Sequence, residues 1–451
     1  MVRACQKHGT LHVFDAFYSF DSTHFSSCSI QLEKNMVKWC KRMRREGNGM
    51  KVLQINSVSG IRSTGRICTD IKDILSAQGH TCKIAYGRYN APQKYQDCSV
   101  KIATEKDWII QKVQSMVLDN AGFGNRKNTA RFLQWVREYS PDLIHLHNLH
   151  GYYINVEMLF NFLHETSLPV VWTLHDCWSF TGHCTHFDVV HCEKWKTECH
   201  ACPIPKTYPH SYVCNCSKRN YARKKRLFTA LPNMTIVTPS KWLADCVNHS
   251  FLAHYPVKVI PNGIDLKAFS PIQNDFKKQH QIEDKFMVLG VSVLWNELKG
   301  LTDFIKLSTM LGASYKIVLV GVPTDIQKTL PKNILALNKT DSIASLAQIY
   351  SVADVFVNPT YEDTFPTTNL EALACGTPVI TYQTGGSPES VDPSCGAVVK
   401  KGDVHALHQA ILDWTATKNP LQTKNCRQKS LQFDKNDRFL EYTALYQSVV
   451  R

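Results

Sequence analysis

Two carboxylates and a lysine in the second half of the chain have types and spacing that suit binding of a polyol and a phosphate. Asp363 and Glu371 are eight residues apart, and Glu371 is predicted to open a helix. The N–H groups at a helix start favour anions, and a carboxylate beside them accepts hydrogen bonds from hydroxyl groups such as those of a ribose. Lys299, followed by Gly300, is predicted to begin a helix after the apolar run 288–293. An ammonium at such a position would neutralise charge developing on a leaving diphosphate.

Four of the 17 cysteines form a second chemical pattern, spaced C-x7-C-x6-C-x2-C. They are Cys184, Cys192, Cys199 and Cys202. The final C-x2-C suits tetrahedral zinc, and four thiolates would close the coordination sphere, so this zinc would be structural. Buried free thiols, disulfides and an iron–sulfur cluster are the alternatives, and nearby histidines such as His183 offer substitute ligands. No cofactor is expected for catalysis.

The composition is that of an ordinary globular protein. Of 451 residues, 43% are hydrophobic and 20% charged, which excludes disordered, collagen-like and coiled-coil chains. No apolar run reaches the roughly 18 residues of a membrane-spanning helix. The first 20 residues lack the apolar core of a secretory signal, and seven cysteines are concentrated within 177–216 rather than spread as a disulfide framework. We therefore expect a reducing, cytoplasmic location.

Positive charge exceeds negative charge, with 52 Lys plus Arg against 38 Asp plus Glu and a formal net charge of +14. Such an excess attracts nucleotides, nucleic acid or an acidic membrane. Six of the nine residues in the run 218–226 are basic. This run predicts either a surface for a lipid-linked, diphosphate-bearing acceptor or an acidic membrane, or only a solvated helix face. Nucleic acid is not an expected partner, because no recognition fold or aromatic RNA platform accompanies the charge.

The elements that position these residues are strands alternating with helices from Met50 onward. Short apolar runs such as 52–55 and 143–146 alternate with helical patterns, which predicts βαβ units and parallel sheets. The pattern restarts at 286–291. Two doubly wound halves would place a ligand crevice between them.

The predicted boundaries follow from this alternation. Residues 1–49 lack a clear period and are predicted to be a poorly ordered extension. The N-terminal domain is 50–263, with a cysteine-rich insertion at about 177–216, and the C-terminal domain is 264–428. The remaining residues, 429–451, are predicted to form a closing helix.

The segment 363–371 and the residues after it resemble the signature of glycosyltransferase family 4. The carboxylates are followed by a helix ending at Gly376 and by the loop that begins at Thr384. The resemblance extends from about Met50 to the C-terminus. It implies a retaining, nucleotide-sugar-dependent enzyme of the α/β class with the GT-B fold, in which two Rossmann-like domains face each other across a cleft.

The resemblance implies catalytic roles for Asp363, Lys299 and His147. Asp363 would face the donor sugar, although the family usually has Glu there and neighbouring Glu362 is the alternative. His147 would touch the donor sugar, with His150 as the second choice.

Donor binding is implied for a wider set of residues, with Glu371 taking the ribose. The set is Glu371, Gly60, Gly65, Thr384, Gly385, Gly386, Phe365 and Pro366. Glycines in the loop 57–66 let the backbone approach a diphosphate. An arginine common near Lys299 in the family is absent, and Leu294 and Leu298 occupy its places.

The segments 173–176 and 178–182 resemble a subgroup that makes colanic acid and other bacterial surface polysaccharides. The implied function is transfer of a sugar from a nucleotide-sugar to a polysaccharide or lipid-linked acceptor, in the cytoplasm or peripherally at the inner face of the membrane. A catalytically impaired nucleotide-sugar-binding protein is one alternative, favoured by the missing arginine and by Asp at 363. A zinc-dependent nucleic-acid binder is the other, favoured only by charge and cysteines.

Overall fold

The computed structural model describes residues 49–417 and 420–450. The predicted N-terminal extension therefore lies outside the described residues, except for Gly49. All structure below belongs to the compact unit that begins at Met50.

The first sheet is wholly parallel and, within the described residues, has seven strands. They are β1 (Lys51–Asn56), β2 (Thr81–Tyr86), β3 (Ser99–Lys101), β4 (Leu143–Leu146), β5 (Val170–Thr173), β6 (Met234–Thr238) and β7 (Val257–Val259). Their order is β3-β2-β1-β4-β5-β6-β7. The direction of winding reverses between β1 and β4, which places a ligand crevice at the carboxyl ends of these two strands.

The second sheet repeats this arrangement with six parallel strands in the described part of the chain. They are β8 (Phe286–Val291), β9 (Tyr315–Val320), β10 (Ile334–Leu337), β11 (Val355–Asn358), β12 (Val379–Tyr382) and β13 (Gly396–Val399). The order is β10-β9-β8-β11-β12-β13, so the winding reverses between β8 and β11. The predicted α/β class with two doubly wound sheets is confirmed.

Helices cover the first sheet because their apolar residues recur at helical spacing. They are α1 (Arg62–Ala77), α2 (Glu105–Leu118), α3 (Arg126–Tyr139), α4 (Val156–Thr166), α5 (Ser217–Phe228) and α6 (Lys241–Asn248). On α1, Ile67, Ile71 and Leu75 are buried at a spacing of four residues. The chain turns after α1 at Gly79, whose φ of 78° favours glycine.

The second sheet has its own helices. They are α7 (Phe276–Gln279), α8 (Leu301–Met310), α9 (Thr324–Gln327), α10 (Ile343–Val352), α11 (Thr367–Ala374), α12 (Val404–Ala416), α13 (Pro420–Ser430) and α14 (Lys435–Val450). All of the last six residues of α11, from Asn369 onward, are buried. This helix therefore lies deep in the C-terminal core.

The last helix crosses back to the first sheet. In α14, Phe439, Tyr442 and Tyr446 pack in one core cluster with residues of β1 and β4. The Tyr446 hydroxyl is 2.6 Å from His145 Nδ1. The predicted closing segment 429–451 is thus helical mainly from Lys435, and its apolar face joins the two halves of the chain.

The cysteine-rich insertion connects β5 to α5 and has little regular structure. Its helical turns are Asp188–Val190 and Lys194–Lys196. Across the described ranges, no helix combines the length and apolar character that crossing a bilayer requires.

Candidate active site

Lys299 is presented by a tight turn that follows β8. The turn spans Glu297–Lys299, and the Asn296 side chain accepts a hydrogen bond from Lys299 N at 3.1 Å. Gly300 has a φ of 74°, and a Cβ there would lie 2.4 Å from Pro359 Cγ. Glycine is therefore required, and it lets the turn lie directly on the segment that leaves β11.

The ammonium of Lys299 lies against the predicted carboxylate loop. Its Nζ donates to Asp363 Oδ2 at 3.0 Å, and it also donates to the Glu362 carbonyl at 2.9 Å. A third bond goes to Thr360 Oγ1 at 3.2 Å. Of the two neighbouring carboxylates, Asp363 is the one that contacts the lysine through its side chain, and Glu362 does so through its backbone. The structure thus brings two predicted catalytic residues together at the reversal of the second sheet.

Glu371 lies in α11, in the second turn rather than at the predicted helix start. The helix begins earlier because Pro366, with its fixed φ, is at the N-cap and Thr367 is the first helical residue. Glu371 is buried, and its Oε2 accepts a hydrogen bond from the Tyr350 hydroxyl at 3.0 Å. Burial raises the pKa of the Glu371 carboxyl to about 7, against the lowering effects of the Tyr350 bond and the Arg66 charge.

Arg66 is a residue that the sequence argument did not assign. It is exposed on α1, which covers the first sheet, yet its charge acts on Glu371 in α11, beside the second sheet. Its position directly after Gly65, in the loop predicted to bind a diphosphate, is the sequence feature that could have indicated a role for it. It supplies positive charge near Glu371, although the arginine expected beside Lys299 is missing.

Glycines let the backbone pack closely in two loops, one of which lies against the carboxylate loop. Gly385 and Gly386 follow β12, and a Cβ at these positions would lie 1.8 Å from the Asp363 carbonyl and 2.1 Å from the Thr364 carbonyl. In the first sheet, Gly60 has a φ of 70° and its N–H donates to the Gly65 carbonyl at 3.0 Å. The predicted donor-binding glycines therefore form two tight loops, one after β1 and one beside Asp363.

The other predicted donor-binding residues are interior. Thr384 is buried, and its hydroxyl has no hydrogen-bond partner among the residues that the structure describes. Phe365 packs in the C-terminal core with its ring 5.7 Å from that of Phe433, and Pro366 is buried at the start of α11. Phe365 and Pro366 thus fix the end of the carboxylate loop. Of these three residues, Thr384 is the one whose hydroxyl is available to a ligand.

His147 is buried beyond β4, with both ring nitrogens engaged. Nδ1 is 3.0 Å from His175 Nε2, and Nε2 is 3.0 Å from Gln54 Oε1. Burial, with the neighbouring His145 and His175, lowers the pKa of His147 well below its ordinary value, so the ring is neutral at pH 7. Contact of His147 with a donor sugar stays a prediction, and it requires exchange of one of these partners.

His150, the second choice, belongs to a polar group that the sequence did not reveal. Its Nε2 is 2.6 Å from Asp176 Oδ2 and its Nδ1 is 3.0 Å from the Tyr208 hydroxyl. Burial acts to raise the pKa of Asp176, but the His150 charge and hydrogen bond outweigh it and set the pKa at about 2. The next residue upstream, His175, accepts a hydrogen bond at its carbonyl from Thr364 Oγ1 at 2.8 Å. The Asp176 segment therefore faces the carboxylate loop.

The four predicted metal ligands line one small cavity of about 20 Å³, together with His183. All four are free thiols. The hydrogen bond between Cys184 and Cys202 raises the pKa of Cys184 and lowers that of Cys202. His183 Nδ1 is 2.6 Å from Asp119 Oδ1, and its buried Nε2 has no partner in the described ranges. Within those ranges no three acidic, His or Cys side chains are already arranged to hold a metal ion. Zinc at this cavity stays a prediction.

Two family models match the chain. Residues 64–268 match Glycosyltransferase Family 4, and residues 285–416 match Glycosyl transferases group 1. Together these matches cover more than half of the chain. The chain belongs to glycosyltransferase family 4.

Relatives of this family 4 glycosyltransferase include bacterial glycosyltransferases. The chain is 29% identical over 309 residues to WcaC of Escherichia coli, described as a colanic acid biosynthesis glycosyl transferase. The aligned region covers 64% of this chain and 70% of WcaC. It is 28% identical over 203 residues to the N,N'-diacetylbacillosaminyl-diphospho-undecaprenol alpha-1,3-N-acetylgalactosaminyltransferase of Campylobacter jejuni, covering 42% of this chain and 53% of that enzyme.

Solved structures share the fold at low identity. Sucrose-phosphate synthase from Thermosynechococcus elongatus has a TM-score of 0.64 at 18% identity, over 89% of this chain and 99% of its own. Anabaena HepE in complex with UDP-glucose has a TM-score of 0.62 at 16% identity, over 88% of this chain and 100% of its own. These likenesses establish the GT-B architecture of the family 4 chain.

Proposed function

We propose that the protein is a retaining glycosyltransferase that moves a sugar from a nucleoside-diphosphate donor to a lipid-linked or glycan precursor of a bacterial surface polysaccharide. The observation that carries the proposal is the contact between Lys299 and Asp363 where the second sheet reverses, with Glu371 on the helix that follows. This is where open α/β sheets bind ligands.

The second sheet would hold the donor nucleotide. Glu371, once ionised, accepts hydrogen bonds from the ribose hydroxyls in place of the one from Tyr350. Lys299 lies in the turn after β8, against the loop after β11. In this proposal its ammonium meets the diphosphate and stabilises charge as the leaving group departs. The presence of UDP-glucose in the HepE complex supports a nucleotide-sugar as the donor.

The first sheet would supply the surroundings of the sugar and acceptor. His175, which follows β5 and whose Nε2 is 3.0 Å from His147 Nδ1, lies against the carboxylate loop, because Thr364 donates to its carbonyl. His147 contacts the donor sugar in this proposal, as the family resemblance implies. The Asp176–His150 pair is fixed by Tyr208 and presents a carboxylate with a low pKa on the acceptor side.

The proposed reaction requires no protein nucleophile. The bond from the anomeric carbon to the diphosphate oxygen breaks, and the acceptor oxygen attacks the resulting oxocarbenium-like sugar from the same face. A donor phosphate oxygen takes the acceptor's proton. Asp363 holds Lys299 in place through these steps and faces the sugar.

A lipid-linked acceptor would place the enzyme peripherally at the inner face of a membrane. The undecaprenol-diphosphate named in the substrate of the Campylobacter relative supports an acceptor of this class.

A panel of nucleotide-sugars tests the proposal. One nucleoside diphosphate should raise the melting temperature, and its sugar conjugate should be turned over with retention at the anomeric carbon, as read by NMR. A shift without turnover on any glycan or lipid-linked acceptor would instead support a binding protein. No shift with any nucleotide would refute donor binding.

A further inference from the structure

One face of α2 is apolar and exposed, although an apolar stripe on a helix of a globular protein usually faces the core. Ile109 and Ile110 are each 53% exposed, Val113 is 55% exposed and Val117 is 42% exposed. At about 100° per residue these four side chains occupy roughly a 100° arc of the helix. Ser115 is the one buried residue of α2, and it lies on the opposite side of the helix from this stripe.

The segment 212–214 extends this stripe. Tyr212 N–H donates to the Met116 carbonyl at 2.8 Å and Cys214 N–H to the Val117 carbonyl at 3.1 Å, so the segment runs along α2. Tyr212 is 55% and Val213 is 72% exposed. We call the combined surface the α2 patch. Its members are Ile109, Ile110, Val113, Val117, Tyr212 and Val213.

Basic side chains border the α2 patch. Lys106 is exposed on the same helix, within the arc of the stripe. The Lys112 ammonium is 5.4 Å from the centre of the Trp108 ring, and Arg219 donates to the Leu118 carbonyl at 3.4 Å. Acidic residues of α2 are confined to its first turn, where Asp107 is bound in a capping box with Thr104. An apolar stripe bordered by cations is the pattern that inserts into the interface of an anionic bilayer.

Three of the six basic residues in the run predicted to meet a membrane, 218–226 on α5, are buried or paired with Glu157. Lys224 is buried and donates to the carbonyls of Trp178 and Thr181 at 2.7 and 3.1 Å. Arg223 and Arg226 both pair with Glu157, at 2.8 and 3.1 Å. These three charges are therefore not free for lipid headgroups, and the α2 patch is the better surface.

We propose that the α2 patch docks this protein on an anionic membrane. The apolar side chains would enter the headgroup boundary while Lys106, Lys112 and Arg219 meet lipid phosphates. A second copy of the chain is a poor occupant, because a two-fold contact would bring the same cations together on a protein with a net charge of +14.

The location of the patch fits the acceptor side of the cleft. Trp108 Nε1 on α2 donates to the Gly151 carbonyl at 2.9 Å, next to His150. Arg88 stacks on Trp108 at 4.4 Å, and Arg88 and Arg62 both donate to the Tyr89 hydroxyl. A lipid-linked diphosphate could remain in the bilayer and reach these arginines. This link to the acceptor rests on the proposed function, whereas docking itself does not.

Sedimentation with vesicles tests docking without donor or acceptor. The full chain should sediment with vesicles containing phosphatidylglycerol and much less with pure phosphatidylcholine, and added salt should weaken the binding. The double variant Ile109→Glu/Val113→Glu should bind at least about tenfold more weakly. The matched control is Ile343→Glu/Leu440→Glu, which adds the same charges at two exposed apolar residues elsewhere, and it should bind like the wild type.

Failure of docking is distinguishable from failure of the proposed function. Nucleoside diphosphate binding should be equal in both double variants and the wild type, which shows that the fold and donor site are intact. Equal sedimentation of Ile109→Glu/Val113→Glu and wild type would overturn the proposal, and so would a wild type that stays in the supernatant. A dimer in light scattering that only the α2 variant dissociates would also overturn it, in favour of a second copy.

Discussion

Replacement of Glu371 by Gln is predicted to change both the pH dependence of stability and that of donor binding. Burial raises the pKa of this carboxyl from 4.5 to about 7. Ionising it in the folded protein therefore costs about 3 kcal/mol more than in the unfolded chain, at 1.36 kcal/mol per pKa unit. The folded state binds more protons between these two values, so the wild type loses stability as pH rises from about 5 to 8.

The variant removes this loss and should be the more stable protein above pH 7. Glu371→Gln keeps the shape and an acceptor for the Tyr350 hydroxyl, but it has no charge to bury. Its melting temperature should exceed that of the wild type at pH 8 and approach it at pH 5. The same experiment on Glu297→Gln, which removes an exposed carboxylate beside Lys299, should show no such difference.

The affinity of the wild type for the donor should rise with pH, whereas its stability falls. Ribose hydroxyls donate best to an ionised carboxylate, so affinity of the wild type for the nucleoside diphosphate should fall about tenfold per pH unit below 7. At pH 8 the variant loses a hydrogen bond to a charged group, about 1.5–3 kcal/mol, or one to two orders of magnitude in Kd. Titration calorimetry at several pH values measures both.

The variant also provides the control for the ligand's own titration. Phosphate groups titrate near pH 6 as well, and that contribution remains in Glu371→Gln. The difference between the two proteins isolates Glu371. Parallel pH profiles with equal affinities would refute the assignment of this residue to the ribose.

Three further predictions concern other parts of the chain. Lys299→Met should lower kcat by about two orders of magnitude and weaken donor binding by less than about tenfold, since its charge acts most on the departing diphosphate; equal kcat with donor bound would refute this role. Protein purified without a histidine tag should contain about one zinc per chain, retained in Cys214→Ser and lost in Cys199→Ser; no zinc, with all cavity thiols titrating freely, would mean plain buried cysteines. Deletion of residues 1–49 should leave melting temperature and donor binding unchanged, and a lower melting temperature would contradict this.

The sequence is informative where one strand or one helix decides the outcome. Alternating apolar runs predict the parallel sheets because strands buried on both faces are continuously apolar. The strand order comes from the structure, and its reversal between β8 and β11 places Lys299 and Asp363 in contact at neighbouring strand ends.

A lysine on the buried face of a helix is harder to predict. In the run 218–226 six of nine residues are basic. The helical spacing from Tyr221 to Phe228 places Lys224 on the buried face, but a lysine is not expected to turn inward without compensating partners. Lys224 does so because two carbonyls and the Trp178 ring, 3.5 Å from its ammonium, compensate for lost water. The exposure of the apolar stripe on α2 is equally difficult to predict, because its spacing is that of a helix packed on a core.

Contacts between the two halves of the chain cannot be predicted from the sequence, because each joins residues that are far apart along the chain. Glu389, in the loop after β12, accepts hydrogen bonds from the N–H groups of Lys241 and Trp242 at 2.8 Å each, and so caps the start of α6. Thr364 reaches His175 on the other side of the carboxylate loop. Each partner alone is a routine polar residue at a strand or helix end, and its role appears only when the sheets are brought together. The same arrangement lets the charge of Arg66, on a helix beside the first sheet, act on Glu371 beside the second, which neither segment of sequence indicates by itself.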